Sequence, residues 1–176
     1  MKDAQAVGPP LGDATVPGEP QADLTRVLAT ESQDLNGTQT HITPTTYATG
    51  GAQAVPAVVE KAVDACGDGF TAKGSNGSTV HDAATAEDVA PAGEETVGFT
   101  ATTSYRGVSH TVHAQAVRAG DADPVYFAAD GMAMVNGRTG DAKLPPAAVK
   151  ARSAKLGRAR DNRLHSPAHR TRGALT

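Results

Sequence analysis

His110 and His113 are the first residues to weigh for chemistry, because the run HTVH could in principle supply a metal pair. On a helix, a spacing of three would bring both imidazoles to one side. They lie instead in the alternating stretch Val108–Arg118, where an odd spacing sends side chains to opposite faces. No Asp or Glu is spaced along the chain to complete a site with either one. The expectation is two unrelated strand histidines and no metal site.

The other candidates are weaker. Gly67, Gly69, Gly74 and Gly77 follow a helical pattern rather than a strand, and no helix start comes after them, so they read as turn glycines and not as a phosphate loop. Glu87-Asp88 and Glu94-Glu95 are local acidic pairs in expected loops, whereas paired catalytic carboxylates need a cleft and convergent geometry. No Gly-x-Ser-x-Gly nucleophile turn occurs. Asn36-Gly37-Thr38 and Asn76-Gly77-Ser78 match the glycosylation acceptor, a short and common pattern. No catalytic, cofactor-binding or metal-binding residue is therefore assigned, no cofactor is expected, and the chain reads as a non-enzyme.

Cys66 is the only cysteine. It excludes an intramolecular disulfide and a cysteine-based zinc cluster. At the C-terminal end of a helix the macrodipole raises a thiol pKa, which argues against a reactive nucleophile. Its place on the apolar helix face suggests a buried, inert thiol; because the N-terminal third has few apolar residues to cover it, partial exposure, with a thiol-linked dimer through Cys66 as its consequence, is the expectation set against that.

Lys150, Arg152, Lys155, Arg158, Arg160, Arg163, Arg170 and Arg172 could contact phosphates without sequence preference. Charge is split along the chain. Residues 1–142 hold 7 basic against 18 acidic side chains, and residues 143–176 hold 9 against 1. No aromatic residues interleave with the basic ones, so a solvated tail is the main reading and nucleic-acid association the alternative.

These residues need elements to position them, and Ala54–Phe70 carries the strongest signal. Val55, Val58, Val59, Ala62, Val63 and Cys66 fall at helical spacing on one face. Pro56 suits a first turn, and Gly67 suits a left-handed C-terminal cap. Phe70 then opens a strand. Lys73–Ser78 reads as a turn and Thr79–His81 as a short strand. Glu94–Tyr105 alternates with Val97, Phe99, Ala101 and Tyr105 inward. Arg106-Gly107 is a hairpin turn, and Val108–Arg118 alternates again with Val108, Val112, Ala114 and Ala116 inward. Gly120–Pro124 turns the chain into Val125–Ala129 and Met132–Val135, a third strand broken at Asp130-Gly131. Leu144-Pro145-Pro146 starts a helix to Leu156, ended by Gly157.

The fold class expected is α+β, an antiparallel β-meander packed by one or two helices, with disordered N- and C-terminal segments. Residues 1–22 read as disordered. Residues 23–53 are poorly defined: Leu24, Val27 and Leu28 suggest a helical turn, and Thr38–Thr49 an edge strand limited by Pro44. Residues 54–157 form the module, and 158–176 a basic tail. Leu, Ile, Val and Phe number 28 of 176 residues, roughly 16% against the ~20% below which disorder becomes a serious reading. The core must be modest. No apolar run approaches membrane-spanning length, and the N-terminus has no hydrophobic signal-peptide region.

The order Ala65-Cys66-Gly67-Asp68-Gly69-Phe70-Thr71-Ala72, Gly93-Glu94-Glu95-Thr96-Val97-Gly98-Phe99, Val117-Arg118-Ala119-Gly120, Tyr126-Phe127, Leu144-Pro145 and Ala154-Lys155-Leu156-Gly157 resembles the secreted lipoproteins of actinobacteria. It is similar, more distantly, to the extracytoplasmic sensor domains of mycobacterial serine/threonine kinases. The resemblance covers about residues 54–157. It implies an extracytoplasmic, non-enzymatic binding or sensor-type module of the cell envelope, and it carries over no catalytic residues. It also implies a signal peptide, a lipid-accepting cysteine and an upstream partner for Cys66. This chain shows none of them, and the basic tail lies beyond the resemblance; a truncated gene, a misplaced start or a shifted reading frame at the end would explain these departures.

Overall fold

A computed structural model of the chain describes residues 20–23, 26–29, 39–48, 50–74 and 77–164. In chain order the elements are β1 (Pro20–Asp23), β2 (Arg26–Ala29), β3 (Gln39–Tyr47), a 3-10 turn (Gly51–Ala54), α1 (Val55–Ala65), β4 (Phe70–Gly74), β5 (Gly77–His81), β6 (Ala83–Glu87), β7 (Glu95–Tyr105), β8 (Val108–Arg118), β9 (Ala122–Ala129), α2 (Gly131–Val135), β10 (Gly140–Ala142) and α3 (Pro146–Leu164). The fold is α+β. One eight-stranded sheet runs β1-β3-β9-β8-β7-β6, with β2 also on β3 and β10 also on β8. The hairpin β4-β5 forms a second, two-stranded sheet.

The β7-β8-β9 meander follows the alternation in the sequence. β7 and β8 pair from Glu95↔Arg118 to Tyr105↔Val108. Their turn has φ 53° at Arg106 and 78° at Gly107, the paired left-handed conformation that suits a two-residue hairpin. β9 continues antiparallel to β8, from Val125↔Ala116 to Ala128↔His113. The rest of the outer edge of β8 is taken by β10, which runs parallel from Gly140↔His110 to Ala142↔Val112.

Both faces of this sheet are covered. On the first face α1 buries Val55, Val59, Val63 and Cys66 against Val97, Phe99, Ala114 and Ala116. On the other, Val149 of α3 packs with Ile42, Val117 and Tyr126, and Ala92 joins them. Ser153 of α3 and the Tyr126 hydroxyl share a buried hydrogen bond of 2.9 Å. Gln115 donates to the Ala90 carbonyl at 3.0 Å, so the segment between β6 and β7 also lies on this second face. Gln115 and His113, on the more polar side of β8, are buried for that reason.

Several expectations need correction. β3 is no edge strand: it pairs with β9 on one side and with β1 and β2 on the other. Pro44 is accommodated because it faces Pro124. Pro124 also lies outside the β9–β8 register, and Pro44 outside the β3 registers with β1 and β2, so neither missing N–H breaks a rung. Arg26–Ala29 is a strand rather than a helical turn. Together β1, β2 and β3 bring the sheet back to Pro20, ahead of the expected start at Ala54. Leu24, residues 1–19 and the Asn36 acceptor pattern lie outside the described residues, as does Asn76.

The turn in Gly120–Pro124 is tighter than expected. Ala119 and Ala122 exchange backbone hydrogen bonds across Gly120, leaving Asp123 and Pro124 in β9. Met132–Val135 is helical, because the Asp130 carboxylate accepts from the Ala133 N–H at 2.8 Å and caps α2. Tyr105 is exposed, at the far end of the hairpin beneath the Arg106 guanidinium. α3 passes through Gly157 to Leu164. An interior glycine costs about 1 kcal/mol against Ala, and strong helix formers flank this one. Residues 158–164 are thus helical, and 165–176 lie outside the described residues. Gly67 does not adopt the left-handed conformation; Gly69 does, with φ 98°. A side chain at Gly69 would come within 2.9 Å of the His81 carbonyl oxygen. β6 was not foreseen, since AATAE carries no strand signal. Among the described residues no helix is long and apolar enough to cross a membrane.

Candidate functional site

The rows of the sheet beneath α1 show why a cavity forms there. Phe99 of β7, Ala114 of β8 and Phe127 of β9 are cross-strand neighbours in one row. Ala84, Ala101 and Val112 form the next. Alanine between two phenylalanines leaves a notch, and the row of small residues extends it. Val59, Ala62, Val63 and Cys66 of α1 form the roof, and Phe70, Ala72 and His81 of the β4-β5 hairpin close one side. The result is a cavity of about 200 Å³, partly open to solvent and walled almost wholly by carbon. The chain has only three phenylalanines, and all three line it.

His81 is the polar exception. Its ring stacks on Phe70 with centroids 4.5 Å apart and planes 10° apart. Its Nδ1 is buried without a hydrogen-bond partner. Burial holds the imidazole below its ordinary pKa, against an opposing pull from Asp82. Its neighbours are pinned to β7: Thr103 Oγ1 donates to the Val80 carbonyl at 2.6 Å, and Asp82 N donates to the Thr102 carbonyl at 2.7 Å. On the opposite wall, His41 stacks on Phe127 with centroids 4.4 Å apart.

Cys66 lines the same cavity and is buried, only 6% exposed. Burial pushes its thiol up. The expectation of partial exposure is corrected: its cover comes from segments that follow the helix. The Cys66 carbonyl accepts from Gly69 N at 3.0 Å and from Ala84 N at 3.1 Å, which draws β6 against the end of α1. A thiol-linked dimer through this residue would require that face to open.

The two candidate histidines separate as expected. His110 faces the α1 side, with Thr103 opposite on β7, and both its ring nitrogens are buried without partners. His113 faces the other side, and here the absence of a spaced carboxylate misleads. Its Nδ1 lies 2.8 and 2.9 Å from the two Glu87 carboxylate oxygens, from a residue 26 positions earlier. A carboxylate only accepts, so Nδ1 donates. Nε2 lies 2.6 Å from Asp141 Oδ1, 28 positions later, and 2.8 Å from Lys143 Nζ; it donates to the first or accepts from the second, but not both at once. The hydrogen bond from His113, then Lys143, holds the Asp141 carboxyl below the usual range. With the carboxylates at opposite nitrogens, the ring ties β6, β8 and β10 together. Among the described residues no three His, Cys, Asp or Glu side chains are grouped to hold a metal ion.

Two further acidic sites differ in their partners. Glu94 and Glu95 both pair with Arg118, and Glu94 also accepts from Gly120 N. Asp123 is 2% exposed, and neither carboxylate oxygen has a hydrogen-bond partner. Burial pushes its carboxyl up to about 7, against the pull of Arg118, with Glu95 and Glu94 adding to the rise.

The sequence reading placed Phe99, Ala101 and Ala114 inward but did not bring Phe70 and Phe127 to them. A signal was there: small residues at inward positions where Val or Leu would normally fill a core. The chain matches no protein-family model and no curated protein.

Proposed function

We propose that this chain is a non-enzymatic binding module whose site is the apolar cavity between α1, the β4-β5 hairpin and the sheet. The observation that carries this is the convergence of all three phenylalanines on one carbon-walled space. A volume of about 200 Å³ exceeds the ~150 Å³ that accepts benzene in an engineered core and falls below the ~300 Å³ at which drug-sized sites begin. The ligand is therefore small and largely apolar. The envelope binding or sensor role implied by the lipoprotein resemblance is consistent with such a site.

The test is stabilisation by small apolar probes such as p-xylene, read as a concentration-dependent rise in Tm. Ala114→Leu fills the notch between Phe99 and Phe127. It should abolish the rise while leaving the fold intact. A Tm rise that persists unchanged in Ala114→Leu would place binding elsewhere and defeat the proposal.

A second reading is supported by α3. Lys150, Arg152, Lys155 and Arg158 are all exposed, while Val149 and Ser153 are buried. We propose, as the alternative, that this face associates with nucleic-acid phosphates without sequence preference. Affinity for duplex DNA should then fall steeply with salt and drop when these four residues are changed to Gln. Salt-insensitive binding, or none at low salt, rejects it.

A further inference from the structure

We infer that the cavity takes a linear alkyl chain of about eight carbons, with the polar end of the ligand left in water at the opening. This rests on the reading of the cavity as the binding site and deepens it by naming the ligand class. The floor carries the argument. It is drawn from four adjacent strands: Ala84 of β6, Phe99 and Ala101 of β7, Val112 and Ala114 of β8, and Phe127 of β9. Three interstrand spacings make it roughly 14 Å long, and two rows of side chains make it roughly 7 Å wide. Ala84, Ala101 and Val112 form a trough of small residues beside the row that holds Phe99 and Phe127. The roof is long as well: from Val59 to Cys66, α1 rises about 10 Å. Its Cys66 end lies at β6, because the Cys66 carbonyl accepts from Ala84 N at 3.1 Å.

A space longer than it is wide suits a chain over a disc, since a compact ring leaves the ends of the trough without contacts. The volume is about 200 Å³, against ~150 Å³ for the six carbons of benzene, which sets the chain at about eight carbons. The lining holds no lysine, arginine or carboxylate, and burial disfavours the charged form of His81. A charged head group inside would therefore lose its hydration without a counter-charge. The cavity is partly open to solvent, so the head group keeps its water there while the chain lies along the trough. A longer tail gains nothing from the carbons left outside.

The experiment is NMR titration of the intact chain with n-butanol, n-hexanol, n-octanol and n-decanol. Cyclooctanol and p-xylene serve as compact molecules with the carbon number of octanol. Affinity should rise about fourfold per methylene up to octanol, and less than about twofold per methylene from octanol to decanol. Octanol should bind about tenfold or more tighter than cyclooctanol, which cannot reach both ends of the trough. Ala84→Leu fills the β6 end and should bring the break in the series down to about hexanol. Ala84→Val serves if that variant does not fold, which the dispersion of the amide spectrum shows directly. A rise that continues unbroken to decanol overturns the chain length. Binding of cyclooctanol or p-xylene as tight as that of octanol overturns the chain assignment while the apolar site stands. A break that stays at octanol in a folded Ala84 variant overturns it in the same way. Failure of every probe to bind overturns both this inference and the proposed function.

Discussion

His113 and Asp141, 28 positions apart in the chain, meet at 2.6 Å, and that contact anchors the short parallel strand β10 to β8. Glu87 holds the other side of the same ring, so one imidazole fastens three strands. Replacing His113 by Ala removes a buried ring and strands Glu87. The expected cost is about 2–4 kcal/mol by urea unfolding. Asp141 alone contributes less, because it is more than half exposed and solvent screens the pair; about 0.5–1 kcal/mol is expected.

That contribution has a definite pH direction. The folded carboxyl of Asp141 is held below its ordinary value of 3.8. Its stabilisation is therefore full above the unfolded pKa and is lost as pH falls through the folded one. Wild type and Asp141→Asn should differ at pH 6 and converge as the pH falls below 3.8 and through the lower folded value. A difference that grows on acidification would contradict the assignment.

Asp123 runs the opposite way. Its folded pKa of about 7 lies above the ordinary 3.8, so the protonated carboxyl is the form the fold prefers. Stability should fall as pH rises from about 4 to 7 and level off above that. Asp123→Asn should remove this decline and gain about 2 kcal/mol at pH 8. Unfolding curves for both proteins at pH 5 and 8 decide it; an unchanged slope for the variant would sink the claim.

Tyr126 and Ser153 join α3 to the sheet through one buried hydrogen bond. Either Tyr126→Phe or Ser153→Ala should cost about 1–2 kcal/mol, since each leaves the other's hydroxyl buried and unpaired. The double variant should cost less than the two singles combined. Strict additivity would show that the hydroxyls act independently.

Gly98 lies under the segment between β6 and β7. An added Cβ would sit 2.5 Å from the Glu87 carbonyl oxygen and press on the Val89 side chain. Gly98→Ala should therefore lose about 1–3 kcal/mol through displacement of that segment. The measurement is the urea midpoint, and a neutral result would mean that the segment moves freely.

Legibility in the sequence followed the range of the interactions. The β7-β8 hairpin is legible in the sequence apart from the exposed Tyr105, because alternation and the Arg106-Gly107 turn are local signals. The α1 stripe was readable for the same reason. What escaped were features decided by distant partners. Pro44 is tolerated only because Pro124 faces it. β6 forms from weak strand residues because β7 and the Cys66 carbonyl claim its backbone. Glu87 and Asp141 became partners of His113 through topology, at separations no motif encodes. The cavity was half legible: the inward alanines of β7 and β8 were identified, but the approach of Phe70 depends on how the β4-β5 hairpin docks.

The pairing of β3 with β9 also shapes how the chain must be made. Ile42 leaves the ribosome well before Tyr126, its partner in the register, and at ~5–20 residues per second the wait is on the order of ten seconds. Through that interval β3 is a nascent strand with neither edge fully satisfied. Its sequence, QTHITPTTY, is threonine-rich and interrupted by Pro44. A proline that removes a backbone donor makes a poor template for a second copy of the same strand. The residue that the finished sheet must accommodate opposite Pro124 is thus a safeguard for the unfinished one, discouraging self-association on the polysome until β9 arrives.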